Sequence, residues 1–233
     1  MKKLSMVVIA ALMVMFTSAA FADDTKVTVG VKAWQNKWEE KYEFGGNSTT
    51  YDFGSSLMVG PTVNVQFSKN WFVGGSYLVT TKDYETSNFV FGGDKLTVSR
   101  KDLDLFAGYM FIPQFGMFFG YKSISNDAKY TYTPAGLNDF KLADWDLTGP
   151  GIGILGNIPL NDTFALYGNL AIMFMKSKFT YPDGSSSKTD LTGASLEAGV
   201  AFAFSESFSA NVGYKVQSFN GDDDQGGTTT DTY

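Results

Sequence analysis

From residue 26 to residue 217, apolar and polar side chains alternate with a period of two, and the alternation restarts after each cluster of turn residues. Nine segments carry the pattern: residues 26–33, 57–67, 71–80, 100–111, 115–122, 149–158, 164–174, 195–204 and 208–217. The fourth is the sharpest, with Leu103, Leu105, Ala107, Tyr109 and Phe111 on one face and Arg100, Asp102, Asp104, Phe106 and Gly108 on the other. This order predicts strands throughout. A helix would repeat its apolar positions every three to four residues, and the glycine density here would destabilise it.

Turn lengths alternate as well. Residues 68–70, 112–114, 161–162 and 205–207 are short, whereas 39–52, 83–97, 125–144 and 177–190 are long and polar. Short turns at one end and long loops at the other predict an antiparallel transmembrane up-and-down β-barrel with its short turns in the periplasm. A secreted sandwich would show a polar outer face, but here that face is Val, Leu, Ile and Phe over several strands. Unpaired backbone at a free edge in lipid costs several kcal/mol per group, and single-chain bacterial barrels have even strand numbers. Nine strands therefore leave one missing. Residues 221–233 read as a final external loop and the first residues of a strand, so the expectation is a ten-stranded barrel when complete, with about nine strands present and the last lacking.

The N-terminus has a different pattern. Lys2 and Lys3 precede an apolar run, and Ala20-Phe21-Ala22 offers a small-x-small cleavage site. The run, about 13 residues, is short of the roughly 20 that span a bilayer. Residues 1–22 are thus expected to be a cleavable signal peptide and residues 23–233 the barrel domain. The leader, the glycine-rich hairpins at 59–77, 148–167 and 198–214, and the Phe-Ser-x-x-Trp/Phe junctions at Phe67 and Phe204 resemble the small bacterial outer-membrane β-barrel proteins. The resemblance covers residues 23–220, extends to OmpW-like and porin-like barrels, and assigns no member. It implies residence in the outer membrane of a Gram-negative cell. The partners it implies are outer-membrane lipid and lipopolysaccharide, with periplasmic chaperones and the barrel-assembly machinery in transit.

Composition then narrows the function. The formal charge is −6, or −8 once the two leader lysines are removed, which argues against nucleic acid as a partner. There are 0 cysteines, so no disulfide framework or thiol chemistry is available. There are also 0 histidines, which weighs against hydroxyl-nucleophile catalysis near neutral pH. No catalytic, cofactor or metal residue is assigned. The acidic run Asp222, Asp223 and Asp224 matches no calcium-loop spacing and reads as a solvated loop.

Two sets of inward positions remain. Lys32, Arg100, Asp102, Asp104, Lys122, Glu197 and Lys215 carry both signs into the lumen, either as a structural ion-pair network or as a charged constriction selecting small solutes. Continuing each strand's parity outward predicts strands that extend well past the bilayer and brings Trp34, Trp38, Tyr42, Trp145, Phe179, Tyr181 and Phe219 inward, an apolar, aromatic external mouth. Packed-core patterning, a parity-shifting bulge, and a pocket for a small apolar ligand all give this signature. The expected function is a small-solute channel or a small-ligand-binding surface protein, and not an enzyme. The alternative is a structural or interaction barrel, adhesin-like, with a plugged lumen and active external loops.

Overall fold

The computed structural model describes residues 25–87, 93–132, 137–222 and 228–232. Residues 1–22, the expected leader, lie outside them, as do Asp223, Asp224 and Tyr233, and the Asp222 side chain is likewise not described. Among the described residues eleven strands form one sheet: β1 (Lys26–Phe44), β2 (Asn47–Gln66), β3 (Trp71–Thr80), β4 (Tyr84–Ser87), β5 (Lys95–Ile112), β6 (Phe115–Tyr132), β7 (Leu137–Pro159), β8 (Phe164–Thr180), β9 (Ser186–Ala203), β10 (Phe208–Asp222) and β11 (Thr228–Thr232). Sequence neighbours pair antiparallel and the sheet closes on itself, because β3 pairs with β5 and β1 with β10.

The count of eleven corrects the expected nine or ten, for two reasons. β3 and β4 both pair with β5 and share one position in the ring. Residues 228–232, within the stretch read from sequence as a final loop and the first residues of a strand, form β11, which is antiparallel to the upper parts of both β1 and β10. Below β11, β1 pairs directly with β10 in parallel, from Val29 opposite Phe208 to Gln35 opposite Tyr214. That parallel contact departs from the all-antiparallel expectation. With nine positions running the full height, the first and ninth strands of an up-and-down order point the same way.

The four short turns are where the pattern placed them. Asn161 Oδ1 accepts the Thr163 and Phe164 amides at 2.9 and 2.8 Å, and Ser68 Oγ accepts the Trp71 amide at 3.0 Å, which fixes these chain reversals locally. At the other end the strands run on past the apolar band, as the continued parity predicts, and the long loops are shorter than composition alone suggests. Residues 39–52 are strand apart from a two-residue turn, Gly45 and Gly46, whose φ of 57° and 82° suit a primed hairpin turn. Most of 83–97, 125–144 and 177–190 that is described is strand too. Up here the outward side chains are polar, so composition resembles loop while the backbone remains paired.

Around the lower barrel the outward face is an exposed apolar band, including Val31, Phe119, Ile152, Leu170, Leu196 and Val212. Aromatic residues rim its short-turn end, where Trp71 meets Tyr109 at 5.0 Å and Phe164 meets Phe202 at 4.6 Å between ring centroids. Inside, aromatic rings cover glycines on the next strand. A Cβ on Gly74 would come within 2.6 Å of the Phe106 ring, and one on Gly153 within 2.7 Å of the Phe118 ring.

One irregularity sets the upper interior. Between Lys37 and Glu39 of β1, the partner changes from Ser55 to Asp52, so β2 carries one extra residue. Gly54, at φ 75°, absorbs it as a β-bulge. Below the bulge Ser56 and Met58 are the buried side chains of β2, and above it Phe53 is. The bulge therefore lies on β2, and Trp38 stays inward.

Candidate functional site in the barrel lumen

The strand parity that sends Leu103 and Leu105 outward sends Arg100, Asp102 and Asp104 inward, and the same rule on β1, β6, β9 and β10 brings Lys32, Lys122, Glu197 and Lys215 to the same region. The structure joins all seven in one chain of contacts. Arg100 grips Asp102 with two bonds, Nε to Oδ1 at 2.7 Å and Nη2 to Oδ2 at 3.0 Å. Lys122 Nζ donates to Asp102 at 2.8 Å and to Asp104 at 2.9 Å. Lys215 Nζ reaches Asp104 at 3.4 Å and Glu197 at 3.7 Å, and Lys32 meets Glu197 at 2.5 Å.

Sequence reasoning left four members out. Gln217 accepts from Arg100 at 3.3 Å and donates to Ser195 at 3.3 Å, while Asn169 donates to Glu197 at 3.4 Å. All three share the inward parity of their strands, which was the available signal. The fourth is Trp34. Its ring lies 4.2 Å from Lys215 Nζ, 5.2 Å from Lys32 Nζ and 5.7 Å from Lys122 Nζ, and it packs with Met58 and Leu78. Trp34 thus belongs to the charged layer and not to the external mouth where its parity had grouped it. Parity fixes a residue's face; height depends on the stagger between strands.

Burial is nearly complete. Arg100 and Asp102 are 0% exposed and Lys122 1%. A buried charge without a partner is too costly to keep, and here each is paired.

Directly above lies an apolar layer. Trp38 stacks on Phe53 at 4.1 Å, contacts Tyr84 edge-on at 5.6 Å and lies 5.4 Å from Trp145. Leu96, Val98, Ile124, Leu147, Met175, Leu191 and Phe219 belong to the same cluster, which Ala171 and Met173 continue downward, with Phe179 packed against it. Trp145 Nε1 donates to Ser177 Oγ at 2.6 Å, so its polar edge is satisfied. Trp38, Trp145, Phe179 and Phe219 therefore come together. Tyr181 touches only the margin, 5.5 Å from Phe179 and largely exposed, and Tyr42 sits half-buried outside the cluster. The cluster fills its own interior, with Ile124, Leu147 and Phe219 at 0% exposure. Burial pushes the Tyr84 phenol up to about 12.

Beside this layer two carboxyls face each other across β1 and β11, Glu40 opposite Asp231. Burial raises Glu40 to about 7. Burial first, and then the neighbouring Glu40, raise Asp231 well above the ordinary carboxylate range against the opposing pull of Trp38 and Arg100. Sequence reasoning missed this pair because it assigned residues 228–232 no strand partner. Among the described residues no group of three or more potential metal-ligating side chains occurs.

Residues 79–232 match a family model described as "Outer membrane protein beta-barrel domain". No curated protein matches the chain. Among solved structures it is similar to the outer membrane protease OmpT from Escherichia coli, at 11% identity and TM-score 0.45, over 91% of this chain and 94% of that one. It is also similar to Ail, the attachment invasion locus protein of Yersinia pestis, solved with the heparin analogue sucrose octasulfate, at 14% identity and TM-score 0.28, over 90% and 94% of the two chains. A third likeness is to the toluene transporter TodX of Pseudomonas putida, at 13% identity and TM-score 0.28, over 93% of this chain and 69% of that one.

Proposed function

For this chain, which belongs to the outer membrane protein beta-barrel domain family and resides in the bacterial outer membrane, we propose the role of a side-chain-plugged, non-catalytic barrel that works as a structural or interaction protein from its external extension. One observation carries the reading. An ion-paired layer and an apolar layer, each nearly fully buried, lie one above the other across the lumen. Ten ring positions already put the barrel near the size at which about eight strands leave room only for side chains, far from the 16 or more of a water-filled porin. Water finds no continuous route past Arg100, Asp102, Lys122, Glu197 and Gln217, or past Trp38, Phe53, Tyr84, Ile124, Leu147 and Phe219 above them, all at 0–2% exposure, so the filling favours the plugged alternative over the small-solute channel. It also occupies the space that an apolar ligand in the mouth would need.

The outer face of the extension offers a stiff, hydrated surface of mixed charge. Lys37 pairs with Glu39 and Asp52, Lys95 with Glu85 at 3.0 Å, and Lys141 with Asp144 at 2.8 Å. Phe140 and Tyr181 stand exposed near its upper end. On this reading lipid and lipopolysaccharide contact the apolar band, and chaperones and assembly machinery act only in transit.

Single-channel conductance of the refolded protein tests the proposal. Silence from protein shown to be folded is the expected result. Discrete, repeatable steps that change size in Asp102→Asn would overturn it and restore the charged-constriction channel.

A further inference from the structure

Beneath the ion-paired layer the lumen opens toward the short-turn end. Side-chain exposure rises from 0% at Arg100 and Asp102 to 15% at Lys32 and 20% at Asp104. A cavity of about 120 Å³ lies there, its polar wall formed by Lys32, Lys122, Lys215, Asp104 and Glu197. Phe106, next to Asp104 on the inward face of β5, supplies the apolar part of the lining with Phe118 and Met173. From these walls we infer a periplasm-facing binding site for a small monocarboxylate with an apolar tail, an inference that goes beyond the role proposed above and does not depend on it.

The charge balance around the cavity selects the sign of the ligand. Three ammonium groups line it and two carboxylates face them. The third carboxylate of the network, Asp102, is held by both arms of Arg100 and sits above the cavity, where it is shared with Lys122. Asp231 and Glu40 face each other beyond Arg100. In a site of low dielectric an excess of one positive charge favours one bound negative charge.

The geometry selects where that charge docks. Lys122 holds its two carboxylates at 2.8 and 2.9 Å, whereas Lys215 is 3.4 and 3.7 Å from its own, with the Trp34 ring behind it at 4.2 Å. Lys215 is therefore the ammonium held most loosely by protein carboxylates, though it is 6% exposed. A ligand carboxylate lying between Lys215 and Lys32 would turn its tail toward Phe106 and Phe118. Volume sets the limit: an engineered apolar cavity of about 150 Å³ accepts a single benzene, so about 120 Å³ takes the carboxylate and part of one ring, and the rest of the ring lies in the open lumen beneath.

Benzoate is the probe, with benzylammonium as a cation of matched shape. Calorimetric titration of the refolded full chain in micelles should show benzoate binding with Kd below about 1 mM and no benzylammonium binding. Lys215→Met should weaken benzoate at least tenfold, while Lys95→Met, on the outer face, should leave it unchanged. Equal binding of the two probes, or undiminished benzoate binding in Lys215→Met, would overturn the inference. Should Lys215→Met fail to fold, crystals of the native protein soaked in 4-bromobenzoate decide the matter. Bromine signal against the Phe106 and Phe118 wall supports the site, and a cavity holding only water refutes it.

Discussion

Replacing Glu40 by Gln should reduce the pH dependence of the external extension to the part that Asp231 carries. Glu40 and Asp231 are cross-strand partners, with Tyr51 beside Glu40 on β2, Phe219 beside Asp231 on β10, and Arg100 reaching Asp231 from β5. Both carboxyls hold their protons more tightly when folded than when unfolded, so the folded state binds more protons. By linkage the stabilisation is fully present below the ordinary carboxyl range and is lost as pH rises through about 7. A rise from 4.5 to about 7 corresponds to about 3.4 kcal/mol, and partial exposure of Glu40 trims this to about 2 kcal/mol.

That free energy is a factor of roughly 30 in a local opening equilibrium. Hydrogen exchange of peptides covering 38–44 and 228–232, corrected for intrinsic rates, should show protection falling by about that factor between pH 5 and 8. In Glu40→Gln only Asp231 still titrates, and protection at pH 8 should exceed that of the native protein. Identical pH profiles for native and variant chains would refute the argument, because they would mean that the pair does not set the stability of the β1–β11 contact.

Two further outcomes are expected. Asp102→Asn removes the negative charge that Arg100 and Lys122 share inside the lumen, so it should cost about 3–5 kcal/mol in urea unfolding followed by gel mobility, whereas Glu85→Gln at the exposed Lys95 pair should cost under about 1 kcal/mol. Gly199→Ala places a Cβ 2.3 Å from the Val212 carbonyl oxygen and 2.7 Å from the Tyr167 hydroxyl, so β9 and β10 must separate there. A loss of about 1–3 kcal/mol in the same assay is expected, and an unchanged midpoint would contradict the close packing.

Much of the barrel was legible in the chain because one face of each lower strand meets an apolar surround, which gives the alternation its contrast. The four short turns and the inward placement of all seven ionic residues followed from that parity. Above the band the contrast weakens, since Lys37, Glu39 and Lys41 face water while polar residues also occur inside, so the strand extension was legible from parity but its length and the short tips were not. Parity also carries no information about height, which is why Trp34 and Trp38, four residues apart on one face, ended in different layers. Phe53 and Asp231 escaped notice for structural reasons: one changes face at a bulge, and the other gains its partner only when β11 joins the sheet.

Gly54 has a consequence for how this chain tolerates insertions and deletions. Along a strand, facing is decided by counting, so one added or lost residue acts as a frameshift in space and turns every later side chain inside out. The upper part of β2 is written in the shifted frame, and Gly54 is the compensating extra letter that lets Phe53 reach Trp38. Removing it would carry Phe53 to the wet outer face and bring its polar neighbours into the aromatic layer. Length changes at Gly45 and Gly46 are another matter, since a hairpin tip ends one count before the next begins. Evolution can therefore rewrite the tip of this extension in length as well as in sequence, whereas the wall beneath it can vary only letter for letter.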